Sequence, residues 1–169
     1  MDAKQIIERF RMQPNDEEGG YYADNYTSSL VLDNQCLPGF KPVKGGRPLC
    51  GAIYYLIDAQ DFSAMHRVTG DMLYHFYDGY PVQMLLLYPD GHSEVCTFSN
   101  DLSKDGKPMK VIPGGTWLGS HMLPGGDYAF MGVSMAPGFN PADYEIGQRA
   151  ELIKEYPTQK KLIEQLTRS

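Results

Sequence analysis

Apolar residues recur along this chain in short runs, cut at near-regular intervals by Gly, Pro, Asp and Asn. LCGAIYYLI (49–57), FSAMHRV (62–68), MLYHFYD (72–78) and VQMLLLYP (82–89) read as strands. So do HSEVCTFS (92–99), KVIP (110–113), TWLGSHML (116–123) and YAFMGVSM (128–135). Asp78–Gly79, Asp90–Gly91, Gly114–Gly115 and PGGD (124–127) supply turns between them. Short strands at even spacing predict a sandwich, barrel or jelly roll. Residues 26–32 are strand-like as well, and 100–110 is a polar loop. The Pro- and Gly-rich stretch 33–48 is a loop long enough to cover a site or reach a partner.

Helical spacing marks the two ends. Ile6, Ile7 and Phe10 define a short helix over 2–12, capped by Asp2 and ended in the segment 13–22 by Pro14 and Gly19–Gly20. Ile146, Ala150, Ile153 and Tyr156 predict a helix over 143–156, stopped by Pro157, and TQKKLIEQLTR forms a last short helix. These helices are expected to pack outside the β core, with residues 1–169 forming one domain.

Composition sharpens this picture in few places. The 18 glycines, 12 prolines and 12 tyrosines in 169 residues suit strands joined by tight turns. A formal net charge of −6, with Lys and Arg scattered, argues against a nucleic-acid or anionic-membrane partner. Cys36, Cys50 and Cys96 form no CxxC and are odd in number, so neither a disulfide framework nor a zinc knuckle is indicated. The N-terminus, MDAKQIIERFRM, lacks the apolar core of a signal peptide, and no run is long enough to span a membrane, so a cytoplasmic location is expected.

The ordered elements EEGGYY (17–22), IYYLI (53–57), MHRVTGDMLYHFYDG (65–79), VIPGGTW (111–117) and APGFNPADYEI (136–146) resemble a family of small cupin-like proteins of unassigned function. The resemblance covers nearly the whole chain. It implies an all-β, double-stranded β-helix (jelly roll) fold, a homodimer, and a pocket like that of deoxysugar-nucleotide epimerases. The sequence departs from the family pattern at polar positions. Asn15, Asp16 and Glu17 precede Glu18 where the family has a histidine, Met72 follows Asp71 where it has a glutamate, and Tyr74 replaces a tryptophan.

Metal-bearing cupins aim three or four N/O ligands at one point. Aligning Gly79 with the closing glycine of the first cupin motif puts His66 at the second histidine position, Ala64 at the first and Met72 at the glutamate. Leu118 falls at the last histidine of the second motif. One imidazole among apolar residues does not hold a divalent ion, so no metal and no cofactor are expected.

The same register turns Ala64, His66 and Val68, then Met72, Tyr74 and Phe76, then Thr116, Leu118 and Ser120, then Asp127, Ala129, Met131 and Val133, towards the interior. His66 is the candidate base, oriented by Asp71 or Asp127, with Tyr54 or Tyr74 as the acid. His75 falls on the opposite face and is a candidate for a hydrogen bond in the sandwich, at a dimer interface or to a ligand. Glu18, with Gly19 and Gly20 making a tight turn or close approach, and Tyr22 are pocket-rim candidates. Trp117 is a core aromatic or a stacking platform. Arg47 and Arg67 are the arginines near the motifs, with Arg67 facing away from His66. The reading is a small-molecule-binding protein whose metal-independent pocket takes a carbohydrate-like or sugar-nucleotide ligand. A metal-independent sugar-nucleotide epimerase or isomerase and a metal-dependent enzyme are the alternatives.

Overall fold

The computed structural model describes residues 1–104 and 106–168. Asp2 starts helix α1 (Ala3–Phe10) through a capping box: the Gln5 amide donates to Asp2 Oδ1 at 2.8 Å, and the Asp2 amide donates to Gln5 Oε1 at 3.1 Å. Arg11, left-handed at φ 52°, ends it.

The strands follow in order: β1 (Gln13–Pro14), β2 (Tyr21–Thr27), β3 (Val31–Leu32), β4 (Arg47–Pro48), β5 (Gly51–Asp58), β6 (Phe62–Val68) and β7 (Asp71–Gly79). Then come β8 (Val82–Leu87), β9 (Ser93–Phe98), β10 (Met109–Ile112), β11 (Trp117–Met122), β12 (Tyr128–Ala136) and β13 (Tyr144–Ile146), followed by helices α2 (Arg149–Glu155) and α3 (Lys160–Gln165). They build a six-stranded sheet in the order β1-β2-β5-β12-β7-β10 and a five-stranded sheet in the order β13-β6-β11-β8-β9. The named strand pairs are antiparallel, and the two sheets face one another as a jelly roll.

Strand alternation decides what fills the space between the sheets. Met72, Tyr74 and Phe76 of β7 and Ala129, Met131 and Val133 of β12 meet Val68 of β6, Leu118 of β11 and Met84 and Leu86 of β8. The alternate residues face outward and are covered by helices. Leu152, Tyr156, Ile163 and Leu166 of the C-terminal segment bury against Met65, Leu85, Leu87 and Trp117 on the back of the five-stranded sheet. Ile6 and Met12 bury with Leu56 and Phe130 on the back of the six-stranded sheet, and Ile7 and Phe10 pack there. Each such large apolar side chain contributes roughly 1.5–3 kcal/mol on burial.

Two expected elements differ. Residues 143–156 do not form one helix. Pro141–Asp143 is a single 3-10 turn, Tyr144–Ile146 is a strand, and the helix begins only at Arg149. The open edge of β6 outweighs the helical spacing: Tyr144 pairs with Val68 and Ile146 with His66, and the Gly147 amide donates to Met65 O at 2.7 Å. The strand expected at 26–32 is divided: its first residues end β2 (Tyr21–Thr27), which pairs with β5, and Val31–Leu32 forms β3; the loop 33–48 carries a short turn, Asn34–Cys36, and ends in β4, which pairs with β3.

Candidate functional site

Between the sheets lies a cavity of about 630 Å³. Ile53 and Tyr55 (β5), Met72 and Tyr74 (β7), and Val133 and Met135 (β12) form one wall, with Tyr22 from β2. His66 and Val68 (β6) and Tyr144 (β13) form the other. Its mouth runs between exposed Asp24, Tyr26 and Phe139.

His66 is 2% exposed. Its Nδ1 sits 2.8 Å from the carbonyl oxygen of Ala64. A carbonyl only accepts, so this partner assigns the ring proton to Nδ1 and leaves the Nε2 lone pair to the cavity. The nearest carboxylate oxygen, Glu18 Oε2, lies 3.8 Å from Nε2, outside hydrogen-bond length. The ring of Tyr144 stacks on the imidazole at a centroid distance of 5.7 Å.

Glu18 arrives from the turn before β2. Its Oε1 accepts from Ser63 Oγ at 2.7 Å, and Asn15 Nδ2 donates to Oε2 at 3.4 Å. Gly19 and Gly20 make this turn possible, with φ of 105° and 71°. A Cβ on Gly19 would stand 2.2 Å from both Phe62 O and the Arg168 guanidinium. Asp61 holds the turn from behind: it accepts from the Gly20 amide at 2.9 Å and from Arg168 Nη2 at 2.8 Å, while Arg168 also donates to Glu18 O at 3.2 Å. Burial pushes the Asp61 carboxyl up, but the Arg168 hydrogen bond and the amides of Gly20 and Phe62 outweigh it and hold it below the usual value.

Tyr55, Tyr74 and Tyr144 keep their phenol protons. Burial, then the charge of Glu18, raises Tyr55 and Tyr74 well above the ordinary tyrosine value, and the same two causes raise Tyr144. Tyr55 donates to Gly19 O at 2.8 Å, whereas the Tyr144 hydroxyl is buried with no partner among the described residues.

Of the residues singled out from sequence, Glu18, Tyr22, His66 and Tyr74 line this one cavity. The others lie elsewhere. Asp71 is exposed at the start of β7 and accepts from the Gly114 amide at 2.8 Å, so it fixes a turn and does not orient His66. Asp127 is exposed and accepts from the Ala3 amide at 3.0 Å, at the start of α1. Tyr54 faces outward, its ring 4.7 Å from Phe10; strand alternation turns Tyr55 inward in its place. His75 lies on the outer face of β7, with Nε2 3.3 Å from Ser134 Oγ. Trp117 is buried behind the five-stranded sheet with the Arg67 guanidinium 4.3 Å above its ring. Arg67 also pairs with Glu145 at 2.7 Å, and Arg47 is wholly buried against Asp143 at 2.6 Å. Among the described residues no Lys or Arg lines the cavity.

Tyr55, Ser63, Asn15 and Tyr144 are site residues that the sequence reading missed. The alternation Ile53–Tyr55–Ile57 carried a signal for Tyr55, while Tyr144 was hidden inside an expected helix.

The donor set does not suit a resident metal of the kind cupins hold. Among the described residues His66 Nε2 is the single imidazole donor that faces the cavity, Glu18 Oε1 is engaged by Ser63, and the facing positions are Met72, Leu118 and Val133. Among the described residues no three His, Cys, Asp or Glu side chains converge.

Comparison with known proteins agrees with the fold. The protein SO0799 of Shewanella oneidensis superimposes with a TM-score of 0.86 over 99% of this chain and 98% of its own, at 27% identity. A hypothetical protein from Leishmania major does so with a TM-score of 0.87 over the full length of both chains, at 22% identity. Oxalate decarboxylase from Bacillus subtilis shares the fold alone, with a TM-score of 0.54 and 12% identity over 93% of this chain and 37% of its own. An uncharacterized protein of Saccharomyces cerevisiae, YML079W, is 25% identical over an alignment of 138 residues that covers 75% of this chain and 66% of that protein. The family model described as Cupin superfamily (DUF985) matches residues 4–147, and the chain belongs to that family.

Proposed function

We propose that this chain binds a small hydroxylated, carbohydrate-like molecule between its two sheets, without a metal. One observation carries the reading: a buried imidazole with a free Nε2 lies in an aromatic-lined cavity of about 630 Å³, beside a buried carboxylate. That volume lies in the usual range for ligand pockets, which pair apolar walls with a few fixed polar groups. The rings of Tyr22, Tyr74 and Tyr144 offer flat faces to C–H groups. His66 Nε2 accepts from a hydroxyl, and the phenols of Tyr74 and Tyr144, which retain their protons, donate to one. The described lining residues include no Lys or Arg to hold a diphosphate, which favours a plain carbohydrate over the sugar-nucleotide form of this reading.

A second reading, proton transfer beside a carbonyl, draws on the placement of His66 and Tyr74 on opposite walls. His66 Nε2 would take the C–H proton and Tyr74 would return one to the other face. Calorimetry with simple sugars tests binding, with His66→Asn as control. Deuterium incorporation into a bound keto-sugar from D2O tests the chemistry. Binding without exchange supports the first reading; exchange lost in His66→Asn supports the second.

We also propose the homodimer that the family resemblance implies. Exposed Leu30, Val31 and Leu49 form an apolar surface near the mouth that suits an interface. Light scattering on the eluted protein tests it, and a monomer mass would overturn it.

A further inference from the structure

We infer that the cavity selects a ligand bearing a positively charged amine over its neutral or phosphorylated counterpart. The inference rests on the reading of this cavity as a ligand site and adds the charge of its occupant. Glu17 and Asp24 are exposed at the mouth, Glu18 is buried within, and no Lys or Arg among the described residues lines the wall. The nearby arginines are spent elsewhere, Arg47 on Asp143, Arg67 on Glu145 and Arg168 on Asp61.

The negative field reaches the phenols: the charge of Glu18 favours the protonated form of Tyr55, Tyr74 and Tyr144. Aromatic faces beside carboxylates attract cations through the ring quadrupole, most strongly where water is excluded. An acidic cluster alone could merely be solvated. Here a second feature points into the same space. His66 is 2% exposed with no hydrogen bond to its Nε2 among the described residues, and the Tyr144 hydroxyl on the same wall is buried without a partner among them, so the cavity suits a guest with polar groups of its own. An ammonium donates to Glu18 Oε2, whose nearest donor, Asn15 Nδ2, stands at a long 3.4 Å. A hydroxyl on the same ligand donates to His66 Nε2.

A hydroxyl gives Glu18 a charge-assisted hydrogen bond and an ammonium gives it an ion pair; the added Coulombic attraction, reduced by the desolvation of the ammonium, is expected to be worth about a tenfold change in affinity. Calorimetry on the full chain, at low and high salt, compares glucosamine, glucose, a glucose phosphate and choline. The expected result is glucosamine binding about tenfold tighter than glucose, weakening with salt, and no binding of the phosphate. Glu18→Gln is expected to equalise glucosamine and glucose. Asp24→Asn, on an exposed residue, is expected to weaken glucosamine more than glucose and so narrow the ratio between them a few-fold. Glucose binding as tightly as glucosamine overturns the inference and leaves the carbohydrate reading standing. Choline binding without either sugar supports the charge preference and overturns the carbohydrate reading. No binding of any probe overturns both.

Discussion

Replacing Asp143 by Ala should be among the most damaging single changes outside the apolar core. Asp143 accepts from Arg47 Nε at 2.6 Å and from Nη2 at 2.7 Å, and the two side chains are 4% and 0% exposed. Arg47 Nη2 also reaches Lys41 O at 2.7 Å, its guanidinium lies 5.1 Å from the Phe40 ring, and its Nη1 is already buried without a partner among the described residues. Removing the carboxylate strands a buried cation, which costs about 3–5 kcal/mol. In a chain of this size each kcal/mol lowers Tm by roughly 2–4 °C, so the melt should fall by roughly 6–20 °C. Urea titration reads the free energy directly, with an unchanged slope showing that the unfolding transition is the same. The double variant Arg47→Met/Asp143→Leu removes both charges and should recover most of the loss, because the penalty belongs to the unpaired charge. A cost below about 1 kcal/mol for Asp143→Ala would refute this reasoning, as would a double variant no more stable than the singles. The pair joins β4 to the turn before β13, so it also fixes Pro48 and Tyr144 beside the cavity.

His66→Asn should lower stability by only about 1 kcal/mol, the worth of the bond to Ala64 O, yet abolish ligand binding; urea melts and calorimetry separate the two. Leu152→Ala should cost about 2–5 kcal/mol and leave the affinity of the folded fraction unchanged, since Leu152 packs behind the five-stranded sheet. Asp61 has a folded pKa below its unfolded one, so its contribution is present above the unfolded value of about 3.9 and is lost as pH falls through the folded value. The stability gap between wild type and Asp61→Asn should therefore shrink from neutral to strongly acidic pH. Urea melts across that range check it, and a constant gap would refute it.

The sequence carried the barrel because its periodicity is local. Met72, Tyr74 and Phe76 alternate as inward residues of a strand must, and Asp2 and Gln5 spell a capping box. It carried His66 for the same reason. The partner of His66 was another matter. Asp71 is nearer in sequence, but Glu18 comes to the imidazole through a turn folded over from the N-terminal segment, a contact no local pattern encodes. Arg168 and Asp61, which hold that turn, lie 107 residues apart. Tyr144 shows the opposite failure: a genuine helical spacing lost to the free edge of β6. Trp117 and Tyr54 lie one strand position from inward residues, Leu118 and Tyr55, and a single step reverses the face.

Methyl-labelled NMR tests the central claim most directly, because cavity and exterior methyls are distinct. Titrating glucosamine into the protein should shift Met72, Met135, Val68 and Val133, together with the His66 ring, while Met65, Leu85 and Leu87 behind the five-stranded sheet stay in place. Shifts confined to the exterior set, or a saturating ligand that leaves the His66 ring unmoved, would contradict the assignment of this cavity as the binding site.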